Sequence, residues 1–157
     1  MIPRNHQIQA KNDGIFGIIL MEINLMNTNN GKRNILVVDD NEAQLENAKL
    51  LLEGDFNVAT ADSGKEALDY LIKGYLPDLI LLDILMPNMD GWETYNRLRA
   101  ISFLQEVPII FITSLDGSSE KKHAFDIGAA DFLTKPLVKS ELVEKINKVL
   151  KAPVKPA

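Results

Sequence analysis

The chain has no cysteine, so disulfides, zinc–thiolate sites, iron–sulfur clusters and thiol nucleophiles are excluded. Only two histidines occur, His6 and His123, too few for a multi-histidine metal cage. Aromatic residues are scarce at 6%, with a single tryptophan, Trp92. No glycine-rich phosphate loop follows the first apolar run, which argues against a nucleotide- or flavin-binding module. Long apolar runs are missing as well. The run from Ile15 through Met21 stops at Glu22, and a spanning helix needs about 20 such residues. Arg4 and Lys11 precede that patch as they would in a signal peptide, yet no small-residue cleavage pattern follows, so the cytoplasm is the expected location. Cationic excess is also lacking. Lys and Arg number 17 against 22 Asp and Glu, a net charge of −5, which disfavours direct nucleic-acid binding.

What remains suits one globular domain: 157 residues, 46% apolar and 25% charged. The chain changes character near residue 34. Residues 1–33 are rich in asparagine and end in the loop-like Asn27-Thr28-Asn29-Asn30-Gly31. They form an N-terminal extension, either an added element or a leader upstream of a start at Met26. Residues 152–157 carry two prolines and read as a tail.

Between these lies a regular alternation over residues 34–151. Ile35-Leu36-Val37-Val38 is a continuous apolar run, the pattern of a strand buried on both faces. Strands are predicted again over 56–60, 78–82, 107–112 and 130–133. Helices are predicted over 41–53, 63–74, 90–100, 116–127 and 138–151, the first with Leu45, Ala48 and Leu52 at helical spacing. Ser63 with Glu66, and Asp90 with Glu93, have the spacing of capping boxes. Strands alternating with helices imply an α/β fold, a doubly wound five-stranded parallel sheet with helices on both faces.

In such sheets ligands bind beyond the carboxyl ends of the strands. Asp39 and Asp40 follow the first strand, Asp83 the third, Thr113 the fourth and Lys135 the fifth. Three clustered carboxylates repel unless a cation holds them together, and their oxygen donors suit Mg²⁺. A metal, a lysine and a hydroxyl could surround a phosphoryl group, for which an aspartate can be the nucleophile.

The segments Ile35–Glu42, Asp83–Gly91, Ile112-Thr113-Ser114 and Asp131–Pro136 together resemble the receiver domain of bacterial two-component response regulators, in order and spacing. The resemblance implies the flavodoxin-like (βα)5 receiver fold with strand order 2-1-3-4-5. It implies that Asp83 accepts a phosphoryl group from a histidine kinase or histidine phosphotransfer protein. Mg²⁺ would be held by the carboxylates of Asp40 and Asp83, by Asp39 through water, and by the carbonyl of Leu85. Lys135 would pair with the acceptor and Thr113 with the phosphoryl oxygen. Phe132 would be the switch aromatic, turning inward with Thr113, and the Lys135–Pro136 peptide would be cis. The protein would be a signalling acceptor rather than an enzyme with turnover. Its output would be a downstream protein bound through the surface of the fourth helix, fifth strand and fifth helix, a surface also compatible with a homodimer.

Two positions depart from the commoner polar choices. Leu85 and Leu115 stand two residues beyond Asp83 and Thr113, where the resemblance implies the path of the hydrolytic water. A slowly self-dephosphorylating receiver is expected. An Asp-nucleophile phosphohydrolase is disfavoured because Leu85 stands where such enzymes carry their proton donor. The short flanks point to a stand-alone regulator, with a receiver cut from a larger kinase or regulator as the alternative. Trp92 is expected to be partly buried packing and His123 a solvated surface residue.

Overall fold

In the computed structural model, residues 31–114 and 117–151 are described. Residues 1–30, 115–116 and 152–157 lie outside the described residues, and with them what was expected of those segments and of Leu115. Five parallel strands form one sheet: β1 (Asn34–Val38), β2 (Asn57–Ala61), β3 (Leu79–Asp83), β4 (Ile109–Thr113) and β5 (Asp131–Thr134). Their spatial order is β2-β1-β3-β4-β5, the order expected above. The helices are α1 (Glu42–Leu52), α2 (Gly64–Ile72), α3 (Gly91–Arg99), α4 (Ser118–Asp126) and α5 (Lys139–Lys151). Four of the five strands end one residue beyond their predicted limits, which brings Asp83 and Thr113 into β3 and β4. A 3₁₀ turn at Ser102–Leu104, not anticipated, buries Leu104.

Burial follows position in the sheet. Every residue of β1, β3 and β4 is buried, since helices cover both faces of these inner strands. The edge strands β2 and β5 are only partly covered. Successive side chains alternate faces. Leu36 and Val38 join Leu71, Tyr95, Leu98 and Phe111 on the side of α2 and α3. Ile35 and Val37 join Leu45, Leu52, Leu142 and Ile146 on the side of α1 and α5.

Local chemistry starts the helices. Asn41 Oδ1 accepts the Gln44 N–H at 3.1 Å, Ser63 Oγ that of Glu66 at 3.1 Å, and Asp90 Oδ1 that of Glu93 at 2.9 Å. The return bond of Glu66 goes to the Asp62 N–H at 3.2 Å, one residue before the cap, so the box at Ser63 is shifted by one. At the far edge of the sheet, Asp78 Oδ2 accepts the Asn34 N–H at 2.7 Å and Asn57 Nδ2 donates to Asn34 Oδ1 at 3.0 Å, joining three strand starts. Among the described residues no helix is long and apolar enough to cross a membrane.

Candidate functional site

Strand order decides which carboxylates meet. β1 pairs with β3, so Asp39 and Asp40, just after β1, face Asp83 at the end of β3. One carboxylate oxygen from each of the three lies within 4.8 Å of the others, close enough to share a cation. Asp39 and Asp83 are buried, at 5% and 3% exposure, whereas Asp40 is exposed. The pocket is therefore open on the Asp40 side.

Lys135 reaches this group from the loop after β5. Its Nζ lies 2.6 Å from Asp39 Oδ2 and 3.5 Å from Asp83 Oδ1. Asp39 is the closer partner, and the pairing with Asp83 that the resemblance implied is present at the longer distance. Asp39 is held on its other side as well, since Oδ1 accepts the Asn41 N–H at 2.9 Å. The loop carrying Lys135 is fixed by the Lys135 N–H, which donates to the Thr113 carbonyl at 2.8 Å, and the Lys135–Pro136 peptide is cis.

Burial pushes the Asp83 carboxyl up to about 6. The charge of Asp39 adds to the rise, Lys135 opposes it, and Asp40 adds a smaller push. One cation inside a cluster of three carboxylates leaves net negative charge, which a bound divalent ion would offset.

Thr113 ends β4, fully buried, one register step beyond the residue opposite Asp83. Phe132 lies in β5 opposite Phe111, and its ring is already in the core at 4% exposure. Its backbone is held on both sides. The N–H donates to Asp131 Oδ1 at 2.8 Å, and the carbonyl accepts from Lys145 Nζ at 2.9 Å. Neither the Lys145–Phe132 bond nor the Asp39–Lys135 pair was legible in the sequence; both join residues carried by different parts of the fold.

Leu85 is half exposed, at 51%. With Ile84, Met86, Pro87, Asp90, Trp92 and Glu120 it lines an open cleft of about 490 Å³ beside the acceptor loop. The Gly91 N–H donates to the Ile84 carbonyl at 2.8 Å, and a side chain on Gly91 would overlap the carbonyl oxygen of Asp83. Glycine is required here for the close approach of α3 to the acceptor. Trp92 is partly buried as expected. His123 is exposed as expected, yet its ring meets Trp92 edge-on, with centroids 4.5 Å apart.

A doubly wound parallel sheet of this order, with three carboxylates and a lysine at its carboxyl edge, defines a class of α/β proteins whose site lies beyond the strand ends. Residues 35–147 match the response regulator receiver domain, and the chain belongs to that family. It is 44% identical to the response regulator PleD of Caulobacter vibrioides over 105 residues, 66% of this chain and 23% of PleD. Among solved structures, it resembles the signal receiver domain of a histidine kinase from Syntrophus aciditrophicus, with TM-score 0.68 and 31% identity, covering 80% of this chain and 97% of that one. It likewise resembles the chemotaxis protein CheY4 of Vibrio cholerae, with TM-score 0.70 and 28% identity over 75% of this chain and 98% of that one. The chain spans between about a quarter and a half of the curated relatives it matches.

Proposed function

We propose that Asp83 is the phosphoacceptor of a two-component or phosphorelay system, and that its modification switches a protein-binding surface. The observation that carries this reading is a buried carboxylate raised to about 6, flanked by Asp39, Asp40 and Lys135 in a response regulator receiver fold. A carboxylate oxygen of Asp83 attacks phosphorus of a phosphohistidine. The new O–P bond forms as the P–N bond breaks, and the leaving imidazole takes up a proton.

The donor set fits Mg²⁺: hard oxygens only, two buried carboxylates and one open to solvent. Asp39, Asp40, Asp83 and the Leu85 carbonyl would hold the ion, which supplies charge neutralisation for the transferring phosphoryl oxygens. Lys135 contributes a second positive charge and moves from Asp39 toward the phosphorylated Asp83. Thr113 supplies a hydroxyl to a phosphoryl oxygen, and Phe132 follows it. The donor is a histidine kinase or histidine phosphotransfer protein. The recipient of the signal is a protein bound at the face of α4, β5 and α5, which shifts between two states.

Intact-protein mass spectrometry after incubation with acetyl phosphate and Mg²⁺ tests this. The wild type gains one phosphoryl group and Asp83→Ala gains none. Equal labelling of the two would overturn the assignment.

A further inference from the structure

Helix α4 is held by remarkably few of its own residues, for only Ala124 within it is buried. Two side chains of helix α3 reach it and the residue that ends it. Trp92 in the first turn of α3 meets the His123 ring edge-on, centroids 4.5 Å apart and planes at 76°. On its other side Trp92 rests against Phe111 of β4, at 4.7 Å between centroids. One turn further along, Tyr95 donates its hydroxyl to the Ile127 carbonyl at 3.0 Å, at the residue that ends α4. The Tyr95 ring is 4% exposed, tilted against Phe111 at 5.4 Å, with the Arg99 guanidinium 4.9 Å from its centroid. Residues three apart share one face of a helix, so a single stripe of α3 grips α4 at its middle and at its end.

The other end of this grip is the acceptor loop. α3 begins at Gly91, bonded to the Ile84 carbonyl and packed without room for a side chain against Asp83. Its first turn is therefore fixed relative to the phosphoacceptor, and Trp92 is the next residue.

We propose that Trp92 and Tyr95 are positioning residues of the switch: they tie α4 to α3 and so set the cost of displacing α4 when Asp83 is modified. This rests on the reading of Asp83 as acceptor and of α4 as part of the switched face. Neither residue touches the phosphoryl group. Each acts through α4, and a ligand that requires α4 displaced binds with an affinity reduced by the fraction of molecules in that state.

Two mild substitutions cut the ties separately. Tyr95→Phe removes only the hydroxyl, and His123→Ala removes an exposed ring from Trp92. The experiment titrates the full chain with beryllofluoride and Mg²⁺, a phosphoryl mimic, following the emission of Trp92, the only tryptophan. Loss of one net hydrogen bond should lower the half-saturating concentration in Tyr95→Phe by about threefold or more. His123→Ala should move it the same way, and hydrogen exchange should quicken at the α4 amides in both. Unchanged or weaker mimic binding in both variants, with wild-type binding intact, overturns the proposal even if the melting temperature falls, because a purely structural role predicts that pattern. Failure of the wild type itself to bind the mimic would instead overturn the reading of Asp83.

Discussion

Lys135 Nζ sits 2.6 Å from Asp39 and 3.5 Å from Asp83, so one ammonium bridges the ends of β1 and β3 from the loop after β5. Side-chain exposures of 15%, 7% and 4% place all three groups largely out of water, where the attraction is little screened. Removing the cation would leave two buried carboxylates facing each other. Lys135→Met should cost on the order of 3 kcal/mol at pH 8 and less at pH 5, where protonation relieves the repulsion. Urea denaturation at the two pH values reads this directly; an equal loss at both would contradict the electrostatic account.

The raised carboxyl of Asp83 makes a second prediction. Its proton is bound more tightly in the folded protein, about 6 against an ordinary 3.8. The associated stability is fully present below 3.8, declines as pH rises, and is lost through about 6. Asp83→Asn removes the buried charge. It should be more stable than wild type at pH 7.5 by roughly 1–3 kcal/mol, with a flatter profile between pH 4 and 7. A variant less stable at pH 7.5, with the wild-type slope retained, would refute this cause.

Mg²⁺ should stabilise the wild type against urea in proportion to the logarithm of its concentration once saturation is approached. Asp40→Ala should weaken that response with little effect on stability in its absence, since Asp40 is exposed. Chelation should abolish labelling by acetyl phosphate. Labelling that persists unchanged in excess chelator would remove the metal from the proposal.

The side chain of Leu85, half exposed in the cleft beside the acceptor, offers no hydrogen bond to an attacking water. The phosphorylated protein should therefore lose its label over minutes or longer, and Leu85→Asn should speed the loss several-fold. Decay of the wild-type label within a few seconds would defeat the expectation.

Gly91 carries a steric prediction. A methyl group there meets the Asp83 carbonyl, which is backbone and cannot swing aside. Gly91→Ala should destabilise by about 1–3 kcal/mol. It should also slow labelling of Asp83, because the acceptor loop must shift. Thermal melting and labelling rate measured together separate this from a loss of stability alone.

The sequence by itself determined the element types, their order and the residues at the strand ends. Buried parallel strands must be continuously apolar, as Ile35–Val38 and Leu79–Leu82 are, and helices between them must carry apolar residues at helical spacing. The identity of Asp39, Asp40, Asp83, Thr113 and Lys135 could be read because each lies at the carboxyl end of a strand or within two residues of it. Only the tertiary structure decided which of them touch. The preference of Lys135 for Asp39, the inward Phe132 held by Lys145, and the grip of Trp92 and Tyr95 on α4 all join residues far apart in the chain. Local propensity carries no information about such distances. They are fixed by how twisted strands and covering helices pack, and by where each long side chain finds a partner once water has been excluded.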